Sequence, residues 1–345
     1  MNNTWDPDGV GVANGNFFGF PYSSKESQLV LMSIPWDVTT SYGSGTSEGP
    51  KAIVDASTQL DFFRFDFPKA WENKIGSLPV DPWIRDTSNI NRAKAKSIIN
   101  RLEQGETPDN SLIQEVNNAC SLLIERVEEQ VNHWLDQNKI VGLVGGDHST
   151  PLGLFRALDS RYTEWGILQI DAHMDLREAY EGFTHSHASI MFNTLQETSV
   201  NKIVQVGIRD VCQAEFDLAN NTDRIVVFDD LTIKKNVLAG GHWKSWAEKI
   251  VQSLPYNIHI SFDIDGLQPE LCPNTGTPVP GGLSFEMILV LLEEIRLQKK
   301  NIIGFDLVEV CPGESGDWDA NVGARVLYEL CQNTIYCHGK KTEKE

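Results

Sequence analysis

Three metal-binding residue types stand on alternate positions in GILQIDAHMDLREAY, where Asp171, His173 and Asp175 follow an apolar run that reads as a buried strand. Side chains two apart in an extended chain point to the same face, so this spacing aims all three groups into one volume. The arrangement recurs along the chain. VGLVGGDH ends in Asp147 and His148, IHISFDID in Asp263 and Asp265, and IIGFDLVE in Asp306 and Glu309.

Each piece alone has an ordinary explanation. Asp147 or Thr150 can cap a helix entered through Pro151, a lone His148 is more often a hydrogen-bonded structural histidine than a ligand, and Asp263 and Asp265 can end a strand and start a turn. Together they demand more, because several carboxylates converging on one crevice repel one another unless cations or protons intervene. His148, Asp171, His173, Asp175, Asp263 and Asp265 form a hard, oxygen-rich set that suits Mn, Co, Ni or Fe better than thiolate-preferring structural zinc. Six ligands exceed what one catalytic metal with an open position can use, whereas two metals bridged by carboxylates use them all. The expected chemistry is that of a two-metal hydrolytic site.

Such a site needs several strands that deliver their carboxyl ends to one edge. LVLMSIPWD, IVGLVGG, WGILQIDA, KIVQVGI, RIVVFDD, NIHISFDID and NIIGFDLVEV read as strands, and helices are expected after Pro50, after HSTP, and around WKSWAEKIVQSL, FEMILVLLEEIRL and NVGARVLYELC. This alternation implies an α/β fold with parallel strands and helices on both faces of the sheet, in which ligands sit outside the carboxyl ends of the strands. Residues 65–90, with several prolines, read as loop, followed by two helical patterns, the second over 111–138. Residues 1–27 read as an N-terminal arm, 28–337 as a single α/β domain and 338–345, HGKKTEKE, as a solvated charged tail.

Composition excludes several classes of function. A chain that is 41% hydrophobic and 22% charged can bury a core and is neither disordered nor fibrous. Its formal charge of -19 repels nucleic acid and anionic membrane surfaces and mildly favours cationic ligands. Six scattered cysteines without a CxxC pair read as buried thiols in a reducing compartment. With no signal-peptide pattern and no apolar run long enough to cross a bilayer, the expected location is the cytoplasm.

GGDHS at 145–149, DAHMD at 171–175 and SFDID at 261–265 resemble the three signatures of the ureohydrolase family, which includes arginase and agmatinase. The resemblance runs over most of the chain: IPWDVTTSYGSGTSEGPKAI looks like the family's N-terminal substrate loop, and TGTPVPGGLS like its segment after the last metal motif. It implies a three-layer α/β/α fold with a mainly parallel central sheet, two divalent metal ions with Mn2+ ahead of Ni2+, and hydrolysis of a guanidino or amidino C–N bond. It also implies a homo-oligomer, a trimer or hexamer.

Carried over residue by residue, the resemblance gives His148, Asp171, Asp175 and Asp263 to one metal and His173, Asp171, Asp263 and Asp265 to the other. Water acidified by the metals is the expected nucleophile, with Asp175 helping to move its proton to the departing amine. Glu309 in DLVEV matches the carboxylate that faces the guanidinium. His187 in HSHAS matches the proton-shuttling histidine, with His185 two residues away as the alternative.

Two departures stand out. Gln268 precedes Pro269 where the family usually has Asp-Pro, and LREAYEGFT replaces the polar segment with which arginases grip an α-amino acid. The expected substrate is therefore a small cationic guanidino compound without that head group. Agmatine leads, with guanidine, 4-guanidinobutyrate and N-formimidoylglutamate open. A metallophosphoesterase shares the DxH element but needs GNH[DE] and GDxxD elements that this chain lacks, and a scaffold that had lost its metals would show broken ligand positions.

Overall fold

The computed structural model describes residues 5–314 and 316–339. Within them lie the strands β1 (Leu29–Ile34), β2 (Ile75–Ser77), β3 (Ile140–Gly145), β4 (Gly166–Ile170), β5 (Lys202–Val206), β6 (Ile225–Phe228), β7 (Asn257–Asp263) and β8 (Asn301–Val308). They form one sheet in the order β2-β1-β3-β8-β7-β4-β5-β6, with every neighbouring pair parallel. The chain is thus an α/β protein of the layered kind, and its central strands are buried on both faces, as an all-parallel sheet requires.

Alternate strand residues feed two separate cores. On one face Leu31, Leu168, Ile260, Phe262 and Phe305 meet α1 (Gly49–Ser57), α8 (Trp243–Gln252), α9 (Phe285–Leu297) and α10 (Trp318–Cys337). On the other, Met32, Ile34, Leu143 and Ile167 meet α2 (Pro82–Glu103), α3 (Asn110–Leu135), α4 (Leu152–Asp159) and α5 (Ile190–Glu197). The shorter helices α6 (Gln213–Asn220) and α7 (Asp230–Leu238) flank β6 in sequence.

The expected loop over 65–90 is only partly one. It contains β2, and α2 already starts at Pro82, with the Asp81 carboxylate accepting a hydrogen bond from the Trp83 N–H. The prolines mislead here because the first helical turn has no use for its N–H groups, so Pro82 opens the helix rather than breaking it. In the N-terminal segment Phe17, Phe18 and Phe20 are fully buried, and the rings of Phe18 and Phe20 pack against Phe62. At the other end His338 donates from Nδ1 to the Ile302 carbonyl, and the expected charged tail beyond Gly339 lies outside the described residues.

Candidate metal centre and active site

The strands that end in the candidate residues, β3, β8, β7 and β4, are contiguous in the sheet. Their carboxyl ends therefore surround one crevice. His148 follows β3 through the Gly146-Asp147 turn, where the Asp147 carboxylate accepts from the Ser149 N–H and hydroxyl. Asp171 follows β4 directly, Asp263 is the last residue of β7, and Glu309 follows β8. Gly266 lets the end of β7 close on β4: a Cβ there would stand 2.7 Å from the Asp171 nitrogen.

His148 points Nδ1 at three carboxylates, 3.0 Å from Asp175, 3.1 Å from Asp171 and 3.5 Å from Asp263. His173 points Nδ1 at Asp265 at 3.1 Å and at Asp171 at 3.6 Å. Two clusters able to hold a metal result, His148 with Asp171 and Asp175, and Asp171 with His173 and Asp265. Asp171 is common to both. Asp263 falls in neither tight group but faces His148 from beside them.

Backbone N–H groups fix one oxygen of Asp171, Asp263 and Asp265 and leave the other turned inward. The His173 N–H donates to Asp171 Oδ1, the Asp265 N–H to Asp263 Oδ1, and the Ala172 N–H to Asp265 Oδ1. The loop after Asp265 is stapled by Arg209, whose guanidinium donates to the carbonyls of Asp265, Leu267 and Val279. That support makes no use of the Gln268 side chain. Asp175 and Glu309 both take positive φ, 54° and 62°, a conformation that non-glycine residues hold only where surroundings impose it.

The electrostatics show a centre short of positive charge. Burial pushes Asp175 up to about 7, with Asp171 adding to the effect. Burial likewise raises Asp263 and Glu309 well above the carboxylate range, helped by Asp265 and Asp171 for the first and by Asp263 and Asp147 for the second. Burial opposes the charged imidazoles, yet the facing carboxylates outweigh it, holding His148 well above its ordinary value and His173 at about 12. The His148 Nδ1 is nonetheless buried without an acceptable hydrogen-bond partner among the described residues. An orphaned imidazole nitrogen amid inward-facing carboxylate oxygens fits divalent metal, which would replace the protons these groups now retain.

The cavity above the clusters has a volume of about 220 Å³ and is lined by His148, His173, Asp175, Asp263 and Glu309 within, and by residues including Arg177, Tyr180 and Asp210. His187 also lines it, and burial, reinforced by His173 and His148, drives its pKa down to about 3, so that its ring is neutral. His185 does not line it, and instead faces Glu197 at 3.5 Å. Ser41 brings the loop after β1 to the cavity, and Thr39 there donates to Asp147 and accepts from the His187 N–H.

Beneath the ligands lies a row of polar residues of which the motif reading singles out only Asp306. In register across the sheet stand Asp306 on β8, Ser261 on β7, Gln169 on β4 and Gln205 on β5. Gln205 donates to Gln169, which donates to Asp171 Oδ2 at 2.8 Å. Asp306, read from sequence as a strand-end group, is two residues inside β8 and fully buried. The available signal is a polar residue two positions before a ligand, as in LQID and ISFD.

The arginase family matches residues 27–332 of the chain. The N(1)-aminopropylagmatine ureohydrolase of Thermus thermophilus is 30% identical over 308 residues, 89% of each chain. The agmatinase of Bacillus subtilis is 28% identical over 309 residues, 89% of this chain and 91% of its own. The crystal structure of an agmatine ureohydrolase of Thermoplasma volcanium superposes with a TM-score of 0.70 at 23% identity, covering 93% of this chain and 94% of its own, a likeness of fold.

Proposed function

The chain belongs to the arginase family, a family of C–N bond hydrolases, and we propose that it cleaves a guanidino group from a small cationic amine, releasing urea. Agmatine or an N-substituted agmatine is the proposed substrate, on the names of its relatives and on the replacement of the α-amino-acid-gripping segment by LREAYEGFT. The observation that carries the reading is the pair of clusters sharing Asp171 beneath a cavity that also contains Glu309.

In this reading His148, Asp171, Asp175 and Asp263 hold one divalent ion, and His173, Asp171, Asp263 and Asp265 the other, with Mn2+ the first candidate and Ni2+ the second. Bound metals of this kind supply an acidified water near neutral pH. The remaining work falls to the protein. Glu309 offers a carboxylate that orients a planar guanidinium through charge-assisted hydrogen bonds, Asp175 moves a proton toward the departing amine, and His187, by its place at the cavity wall, is the proposed proton shuttle. Thiols free of disulfides among the described residues suit a cytoplasmic setting, and a trimer or hexamer is the proposed assembly.

Arg177 favours a second reading. Its guanidinium lies over the Tyr180 ring at 4.8 Å, lines the cavity and pairs with no carboxylate among the described residues, so it could receive the carboxylate of a guanidino acid. The deciding experiment is urea release by protein loaded with Mn2+ or Ni2+, offered agmatine, N-aminopropylagmatine, 4-guanidinobutyrate, guanidine and arginine in parallel. Turnover of an agmatine supports the first reading, turnover of 4-guanidinobutyrate the second. Metal-loaded protein that frees urea from none of them would overturn both.

A further inference from the structure

Behind the metal clusters a chain of hydrogen bonds runs from His148, which lines the cavity, to three residues that do not line it. His148 Nε2 meets Ser261 Oγ at 2.9 Å, Ser261 Oγ meets Asp306 Oδ1 at 3.0 Å, and Asp306 Oδ2 meets His259 Nε2 at 2.7 Å. All four residues are at most 1% exposed. A buried carboxylate with two imidazoles in the middle of an apolar sheet is costly unless each link is satisfied. The far end is closed off, because His259 Nδ1 has no partner among the described residues, and a Cβ on Gly304 would stand 3.3 Å from it. Phe155 packs edge-on against the same ring.

The direction of each bond follows from proton counting. Ser261 has one hydrogen and two candidates to receive it, the Nε2 lone pair of His148 or the carboxylate of Asp306, and the carboxylate is the stronger acceptor. Once that hydrogen goes to Asp306, Oγ presents only lone pairs to His148, so Nε2 must carry the proton. His259 completes the arrangement by donating its own Nε2–H to the second oxygen of Asp306.

Resting on the metal-centre reading above, we infer that Ser261, Asp306 and His259 are positioning residues that select the tautomer of His148, keeping Nδ1 bare toward the metals. Partners behind a metal-bound histidine act this way in general, and their loss costs about 10- to 100-fold in metal affinity. Ser261 and Asp306 act in series, so removing both costs no more than removing one. A role confined to fold stability would lower the melting temperature and leave metal affinity alone.

The test is chelator competition on the full-length wild type and on Ser261→Ala, Ser261→Thr, Asp306→Asn and the Ala/Asn double variant, each checked for folding by circular dichroism. The expected result is a loss of about 10- to 100-fold in the affinity of one of two metals for Ser261→Ala, Asp306→Asn and the double variant alike, with Ser261→Thr near wild type. A folded Ser261→Ala that binds both metals as the wild type does overturns the relay while leaving the metal centre intact. A wild type that takes up no divalent metal overturns the metal centre and the relay together. Should the variants not fold, nitrogen NMR of histidine-labelled, zinc-loaded wild type decides: a proton on Nε2 of His148 supports the relay, and one on Nδ1 overturns it.

Discussion

Glu309 accepts a hydrogen bond from the backbone N–H of His148 at 2.8 Å, joining residues 161 apart in sequence. The carboxylate proposed to meet substrate is thus also tied to the turn that presents a metal ligand. Replacing Glu309 with Gln keeps an acceptor for that N–H and removes only the charge. We expect Glu309→Gln to retain both metals and lose about 100-fold in kcat/KM, the value of a charge-assisted contact of about 3 kcal/mol. Metal analysis beside steady-state kinetics separates the two effects, and near-normal turnover would remove Glu309 from the substrate site.

Asp171 is the one residue common to both clusters. Asp171→Ala should therefore abolish binding of both metals, whereas His173→Ala should spare the His148 site. Elemental analysis after dialysis reads this directly. A variant of Asp171 that still holds two metals would rule out its place in both sites.

The two neighbouring histidines should behave differently. His187 lines the cavity and His185 faces Glu197, so His187→Ala should slow turnover by about 10²- to 10⁴-fold and His185→Ala, outside the cavity, should leave it within about twofold. The reverse ranking would move the shuttle to His185.

Metal removal should invert the usual preference for neutral pH. From an ordinary 3.8 up to about 7, folded metal-free chain holds a proton on Asp175 that unfolded chain has released, and from 6.5 to about 12 the same is true of His173. Because the folded state binds the extra protons at these two groups, their contribution to the stability of the metal-free chain falls as pH rises through both windows, while His187, lowered from 6.5 to about 3, acts in the opposite sense below 6.5. Metals take the place of those protons, so their addition should raise the melting temperature more at pH 8 than at pH 5. A gain independent of pH would show that these groups do not hold the metal.

How much of this is legible in sequence depends on distance along the chain. The alternation of Asp171, His173 and Asp175 is local, so strand geometry alone shows that they share a face. Pro82 is local too, but its meaning depends on whether a helix follows, which is why α2 starts earlier than the prolines suggest. Ser261 and Gln169 escape notice because a small or amide side chain inside a strand carries no chemistry of its own. Their importance comes from register, in which Ser261 stands opposite both Gln169 and Asp306. That register joins segments 45 and 92 residues apart by burial and backbone pairing, and no short window contains it. Arg209 is hidden for the same reason, since its partners Asp265 and Val279 lie on a loop remote in sequence.

The position of β8 has a consequence for how the molecule is made. This strand is last to leave the ribosome yet lies between β3 and β7, near the middle of the sheet. A nascent chain can pair β1 with β3, and β4 with β5 and β7, as two separate half-sheets with bare facing edges. Only the arrival of β8 zips the halves together, and the same event brings Asp306 behind His148 and Glu309 over it. Synthesis therefore withholds the His148 cluster until the fold is nearly finished, whereas the His173 cluster, drawn wholly from the ends of β4 and β7, needs no β8.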